Sequence, residues 1–272
     1  ITYFYITVVK TKISEKIMPE VNEWQNRPLE SVYPFVFMDA IHYKVKENHQ
    51  YITKAAYVVL GINMEGGKDI LGIWIGEHES SKFWLNVLTE LKSRGVRDVY
   101  LFCVDGLTGF REAIEAVYPN AGIQRCIIHQ IRYSTRFVSY KDIKELMADL
   151  KLVYTAVTED EALNNLMRFK EKWSKSYPSC VKTWEDNWDI LSTFFAYPAE
   201  IRKIIYTTNI IEGLNRQFRQ ITKNKPSFTN DESLLKMLYL ASKNIVKRWT
   251  QRCRNWDVVL NYLKVMFEDR TA

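Results

Sequence analysis

The sequence predicts an α/β fold: a mixed sheet with flanking helices, interrupted by an all-helical insertion. Three observations predict it. Strand-like runs separated by short turns fill the stretch up to about residue 80. Helix and strand patterns then alternate to about residue 131, and from about 140 to 205 the apolar spacing is helical throughout.

The first strand is "YPFVFMDAIHYKV" (33–45), bulky and β-branched enough for a buried pleated surface. "KENHQ" (46–50) is a polar turn, "YITKAAYVVLGINM" (51–64) a second strand, "EGG" (65–67) a turn, and "KDILGIWIGEHES" (68–80) a third strand. Short turns between successive strands predict an antiparallel meander. In "SSKFWLNVLTELKSRG" (80–95) the period changes: a serine start, apolar Phe83, Leu85, Val87, Leu88 and Leu91, and a glycine stop mark a helix. "VRDVYLFCVDG" (96–106) is almost continuously apolar, as a strand in mid-sheet is. "GFREAIEAVYP" (109–119) is a helix closed by proline, and "AGIQRCIIHQI" (121–131) reads as a further strand. The helical stretch that follows carries Trp173, Trp184, Trp188, Phe194, Phe195 and Tyr197, which read as its core. Further helices are expected over 206–225, capped by Thr208 or Asn209, over 231–252 and over roughly 255–267.

Composition narrows the function classes. No apolar run reaches the ~18 residues that a membrane-spanning helix needs. Four widely spaced cysteines (Cys103, Cys126, Cys180, Cys253) do not form a disulfide framework and suit a reducing cytosol. Charge is uneven: residues 213–272 hold 12 Lys/Arg against 5 Asp/Glu, within a chain whose net charge is +6. A basic end on a neutral body suggests either a polyanionic partner or a solvated helical surface.

Three acids stand out. Asp39 shares a strand face with Phe35 and Phe37, since strand side chains alternate. Burying an ionised carboxylate without a partner costs several kcal/mol, so this residue is either a hydrogen-bonded structural aspartate or a metal ligand. Asp105 ends the strand "VYLFCVD" before Gly106, a turn signal as well as a candidate ligand. First and fourth strands in a sheet of this order commonly lie side by side, which would bring Asp39 and Asp105 to one pocket. Two such carboxylates repel unless a cation neutralises them, and Mg²⁺ or Mn²⁺ accepts oxygen ligands of this kind. Glu212 lies one turn into its helix, where capping-box spacing from Asn209 offers a bland explanation. Yet Glu212, Arg216, Arg219 and Lys223 share one helical face, an acid at the head of a basic stripe past which a phosphate backbone could run. The Cys126–His129 pair lacks the second pair that a structural zinc site requires.

With these residues in place, the chain resembles the bacterial insertion-sequence transposases of the Mutator-like superfamily. The resemblance rests on "YPFVFMDA", "AAYVVLGIN", "LGIWIGEHESSKFWLNVLTELKSRGV", "CVDGLTGFREAIEAVYP", "QRCIIHQIR" and "IIYTTNIIEGLNRQFR", and runs from about residue 14 to 267. It implies an RNase H-like sheet carrying an Asp-Asp-Glu triad, here Asp39, Asp105 and Glu212, as catalytic residues and metal ligands. Cys126 and His129 fall on a family mark and become candidate supports of the active site. Two Mg²⁺ ions, replaceable by Mn²⁺, are the implied cofactors. The implied activity is cleavage and transfer of DNA strands, with Arg216, Arg219 and Lys223 on the DNA.

The implied partners are element ends and target DNA, bound by a homodimer or larger assembly, with no membrane and no small-molecule substrate. The implied location is the bacterial cytoplasm, at the nucleoid. A structure-selective nuclease on the same fold and a non-catalytic DNA-binding remnant are the alternatives. The expected division is a lead-in over 1–30, the first part of the core over 31–135, a helical insertion over 136–205, and core helices carrying Glu212 over 206–272. The family's amino-terminal helix-turn-helix region has no counterpart here, and "ITYFYITVVKTKI" (1–13), after a first residue that is Ile, departs from the family pattern.

Overall fold

The computed structural model describes residues 17–77, 80–106, 109–205 and 209–270. From the first strand to Arg125 its strands and helices follow the order the sequence predicts, and a helix that the sequence reading did not give precedes them. A helix, α1, covers 17–26, followed by β1 (Val32–Glu47), β2 (Gln50–Ile62) and β3 (Lys68–Gly76). Next come α2 (Ser81–Ser93), β4 (Asp98–Val104), α3 (Phe110–Val117) and β5 (Gly122–Arg125). Helices α4 (Ile127–Ser134), α5 (Tyr140–Tyr154), α6 (Glu159–Trp173), α7 (Pro178–Asp186), α8 (Trp188–Leu191) and α9 (Ala199–Ile205) follow. The chain then forms α10 (Asn209–Thr222), α11 (Asp231–Val246) and α12 (Trp256–Met266). The strands make one five-stranded sheet of order β3-β2-β1-β4-β5. Its β1–β2 and β2–β3 pairings are antiparallel and its β4–β5 pairing is parallel, the mixed sheet of an RNase H-like fold. Residues 1–13, the first part of the expected lead-in, and Thr208, one of the two expected caps, lie outside the described residues.

The chain divides into two compact units, the first made of residues 1–100, 107–121 and 209–256. The meander of this unit holds for local reasons. Asn48 and His49 both take positive φ (46° and 65°), the backbone that a tight hairpin turn requires, so β1 turns directly into β2. Between β2 and β3, Gly66 takes φ 81°, and a Cβ there would meet the Trp256 ring at 2.5 Å. From Tyr33 to Asp39, β1 is buried without a break, covered on both faces. Trp84 of α2 stacks on Phe110 of α3 (centroids 4.0 Å apart) and meets Tyr57 of β2 edge-on (4.9 Å). Ser80 caps α2 by accepting the Phe83 N–H at 3.1 Å. Helix α10 turns Ile211, Leu214, Asn215, Phe218 and Thr222 inward, a spacing of three and four that lays one face on the protein.

A charged residue sits where the strand pattern predicts none. Lys54 of β2 is 5% exposed, and its ammonium meets Asp231 at the start of α11 (2.9 Å), Glu47 at the end of β1 (3.2 Å) and Glu77 just past β3 (3.3 Å). Burial alone would pull its pKa down. The hydrogen bonds to Asp231, Glu47 and Glu77 outweigh that and leave it raised.

The second unit comprises residues 101–106, 122–208 and 257–272. Its strands pair in parallel register, Leu101 with Gly122 through Val104 with Arg125. The expected strand over 121–131 is corrected here: only Gly122–Arg125 is extended, and Cys126 turns the chain into α4. Cys126 N–H donates to Val104 O at 2.9 Å, and its Sγ accepts the His129 N–H at 3.4 Å, capping the helix. Of the six expected core aromatics, Trp173, Trp184 and Phe194 are buried, whereas Trp188, Phe195 and Tyr197 are half-buried. The two buried indoles of this unit find acceptors: Trp184 Nε1 donates to Ser134 Oγ (3.0 Å) and Trp173 Nε1 to Asp149 Oδ2 (2.9 Å). All four cysteines are free and buried.

Candidate active site

In the first unit, Asp39 lies in the middle of β1, opposite Val58 of β2, and is only 8% exposed. Hydrogen-bond donors offset that burial. Asn215 Nδ2 donates to its Oδ2 at 2.6 Å, and the N–H of Ala40 donates to Oδ1 at 2.8 Å. Asn215 is 1% exposed and lies on α10, three residues after Glu212. Positions three apart on a helix share a face, so the bond anchors the Glu212-bearing face of α10 to the strand that carries Asp39. Glu212 itself is half-buried in the first turn of α10, where the helix dipole favours a carboxylate. Among the described residues, no donor reaches Asn215 Oδ1, although that oxygen is buried. A buried amide oxygen left over in this way costs free energy unless something it can ligate or accept from arrives.

Sequence reasoning missed Asn215. Its signal was a polar residue on the otherwise apolar inner stripe of α10. Farther along the helix Arg216 and Arg219 are exposed, and Lys223 is exposed just beyond its end, so the expected basic stripe faces solvent.

In the second unit, Asp105 follows the last residue of β4, and its Oδ1 accepts the Gly106 N–H at 2.7 Å. The turn and the acid are therefore one feature rather than rival readings. His129 Nδ1 lies 3.7 Å from the same oxygen, an ion pair when the imidazole is protonated. Arg125 closes the other side: its guanidinium occupies the space that a Cβ at 106 would need, so a side chain there would have to displace it. That guanidinium also donates to Asn187 Oδ1. Burial lowers the Arg125 pKa, and the charge of Asp105 works against the shift.

The Cys126–His129 spacing has a helical explanation. Cys126 is fully buried and its sulfur is the cap of the helix whose first turn carries His129, so it positions the imidazole beside Asp105. Its neighbour Cys103 is also fully buried, and burial pushes that thiol well up.

Comparison with known proteins bears on the whole chain. Residues 7–252 match the sequence family described as "Transposase, Mutator family". Over 259 residues the chain is 42% identical to a probable transposase for insertion sequence element ISRM3-like from Sinorhizobium fredii. It is also 42% identical, over 259 residues, to the transposase for insertion sequence element ISRM3 from Rhizobium meliloti. Both matches cover 95% of this chain and 65% of the relative, so the chain spans just under two thirds of those proteins. A probable transposase for an insertion sequence element from Corynebacterium diphtheriae is 40% identical over 280 residues, covering 96% of this chain and 82% of that protein.

Proposed function

The chain belongs to the Mutator family of transposases, and from that premise we propose that it is a transposase catalytic domain that cuts and transfers DNA strands with divalent metal. The observation that carries the reading is the Asp39–Asn215 bond, which joins an acid buried in a strand to the helix face of Glu212. A structural aspartate would account for the bond, but not for the buried amide oxygen of Asn215 left over beside it. Oxygen donors of this sort are what Mg²⁺ and Mn²⁺ accept.

In this reading Asp39, Asp105 and Glu212 are the catalytic acids and hold two ions, Mg²⁺ in the first instance. His129, whose Nδ1 lies 3.7 Å from the Asp105 carboxylate, is a further supporting group of the site. Bound metal supplies Lewis-acid stabilisation of the leaving oxygen and lowers the pKa of the attacking water or hydroxyl. The chain's own residues do the rest. Asn215 fixes the Asp39 carboxylate, Cys126 fixes the helix start that presents His129, and Arg125 keeps positive charge beside Asp105. Arg216, Arg219 and Lys223 guide the phosphate backbone, by charge and without reading sequence. The partners are DNA ends and target, held by a homodimer or larger assembly at the bacterial nucleoid. The helices over 136–205 form an insertion in the catalytic core. None of the described helices is long and apolar enough to cross a membrane.

The test is cleavage of supercoiled plasmid in Mg²⁺, Mn²⁺ or EDTA, beside Asp105→Asn. Nicking that needs metal and Asp105, with joined products from added 3′-hydroxyl ends, supports the transposase. Metal-dependent nicking without joined products identifies a nuclease instead. Nicking that survives both EDTA and Asp105→Asn sinks the assignment.

A further inference from the structure

The segment after His129 has a composition that the catalytic reading does not use. From 132 to 141 the chain reads "RYSTRFVSYK", three basic–aromatic neighbours (Arg132–Tyr133, Arg136–Phe137, Tyr140–Lys141) with no acid among them. Aromatic rings ordinarily go inward; here they do the reverse. Tyr133 is 63% exposed, Phe137 83% and Tyr140 94%. Arg132, Arg136 and Lys141 are exposed with them, and the Arg136 guanidinium lies over the Phe137 ring, 5.4 Å from its centroid. Tyr133 and Phe137 also line a groove of about 380 Å³, together with Ser176, Ser179 and Thr183.

We propose that this groove, together with the exposed Tyr140 that follows it in the chain, forms a subsite for unpaired DNA, taking bases on Tyr133, Phe137 and Tyr140 while Arg132, Arg136 and Lys141 follow the phosphates. It rests on the proposed function only for naming DNA as the polyanion. Interleaved aromatics and cations are what a single strand needs, because every base has a stacking face and every linkage a charge. A duplex hides those faces. The three cations without an acid argue against a second copy as the occupant, since a two-fold contact would bring like charges together. Position adds to the case: Tyr133 follows His129 by four residues on α4, one helical turn or about 6 Å along the axis. The subsite thus lies about one turn along α4 from the imidazole that sits beside Asp105.

The test needs no catalysis. Anisotropy in EDTA compares labelled oligodeoxythymidine, the same length of oligoribouridine, and random duplex DNA. The variant combines Tyr133→Ala, Phe137→Ala and Tyr140→Ala, substitutions at exposed positions, with its melting temperature checked beside the parent. Each base that loses its ring should weaken single-strand binding by about 5- to 150-fold, with duplex affinity unchanged within about twofold. Tyr133→Trp with Phe137→Trp should keep single-strand affinity, because the stacking faces persist. Equal losses on single strand and duplex, or no loss on either, would overturn the proposal. So would tighter binding of the RNA than of the DNA, or a parent that self-associates through these rings and a variant that does not. A chain that binds single strands through these residues yet fails to nick plasmid keeps this inference and loses the catalytic one.

Discussion

Replacing Asn215 by Ala isolates the bond on which the candidate site depends. The amide is 2.6 Å from the Asp39 carboxylate, and both residues are buried. A hydrogen bond to a charged group contributes about 1.5–3 kcal/mol, and its loss removes from a buried carboxylate one of the donors that offset its burial. A cost of about 2–3 kcal/mol is therefore expected in EDTA. At about 2–4 °C per kcal/mol for a chain of this size class, the melting temperature should fall by about 4–12 °C. Circular dichroism melts of parent, Asn215→Ala, Asp39→Asn and the double variant measure it. The two changes should couple, because Asp39→Asn removes the charge that Asn215 stabilises, so the double variant loses less than the sum. Added Mn²⁺ at about 100 times its dissociation constant should return about 2.7 kcal/mol to the parent and much less to Asp39→Asn. An unchanged melting temperature in Asn215→Ala, or equal Mn²⁺ shifts in parent and Asp39→Asn, refutes the reasoning.

Three further outcomes are expected. His129→Ala should slow plasmid nicking while leaving the melting temperature within about 2 °C, because the imidazole is partly exposed and α4 keeps its Cys126 cap; full nicking with lost stability would make His129 structural. Changing Arg216, Arg219 and Lys223 together to Ala should flatten the salt dependence of duplex binding by about 0.9 in log–log slope for each phosphate no longer neutralised, and a retained slope would remove them from the DNA path. Lys54→Met should destabilise by about 1–3 kcal/mol at neutral pH, between an exposed and a buried pair. The Lys54 pKa is raised from the ordinary 10.5, so its contribution is full below that value and is lost only as pH climbs past the raised one. Parent and variant should accordingly converge in stability at strongly alkaline pH, and a constant gap in urea titrations would contradict this.

Much of the fold was legible because period two and period three-to-four patterns are clean in this chain. The meander from 33 to 76 and the helices at 81, 110, 209 and 231 fall where residue spacing puts them. The error at "QRCIIHQI" has a physical source: a short apolar run fits a buried strand and a buried helix equally. The side chain that starts the helix there is a cysteine, outside the usual Ser, Thr, Asp and Asn caps. Asp39 and Asp105 were legible because each acid interrupts or ends an apolar strand. Asn215 and Lys54 were not, since a single polar residue on an inward face looks like noise until its partner, 176 or 177 residues away, is known. The ring-and-cation segment at 132–141 was overlooked because aromatics in a helical stretch are ordinarily core.

The 176-residue separation of Asp39 and Asn215 also sets a clock. The ribosome completes β1, makes the second unit as far as residue 208, and only then supplies the α10 segment that closes the first. At ~5–20 residues per second, β1 waits roughly 10–35 s for its amide partner. Until then the nascent chain lacks both Glu212 and the amide that steadies Asp39. A polypeptide that stops before residue 209 therefore carries Asp39 without the amide that steadies its carboxylate.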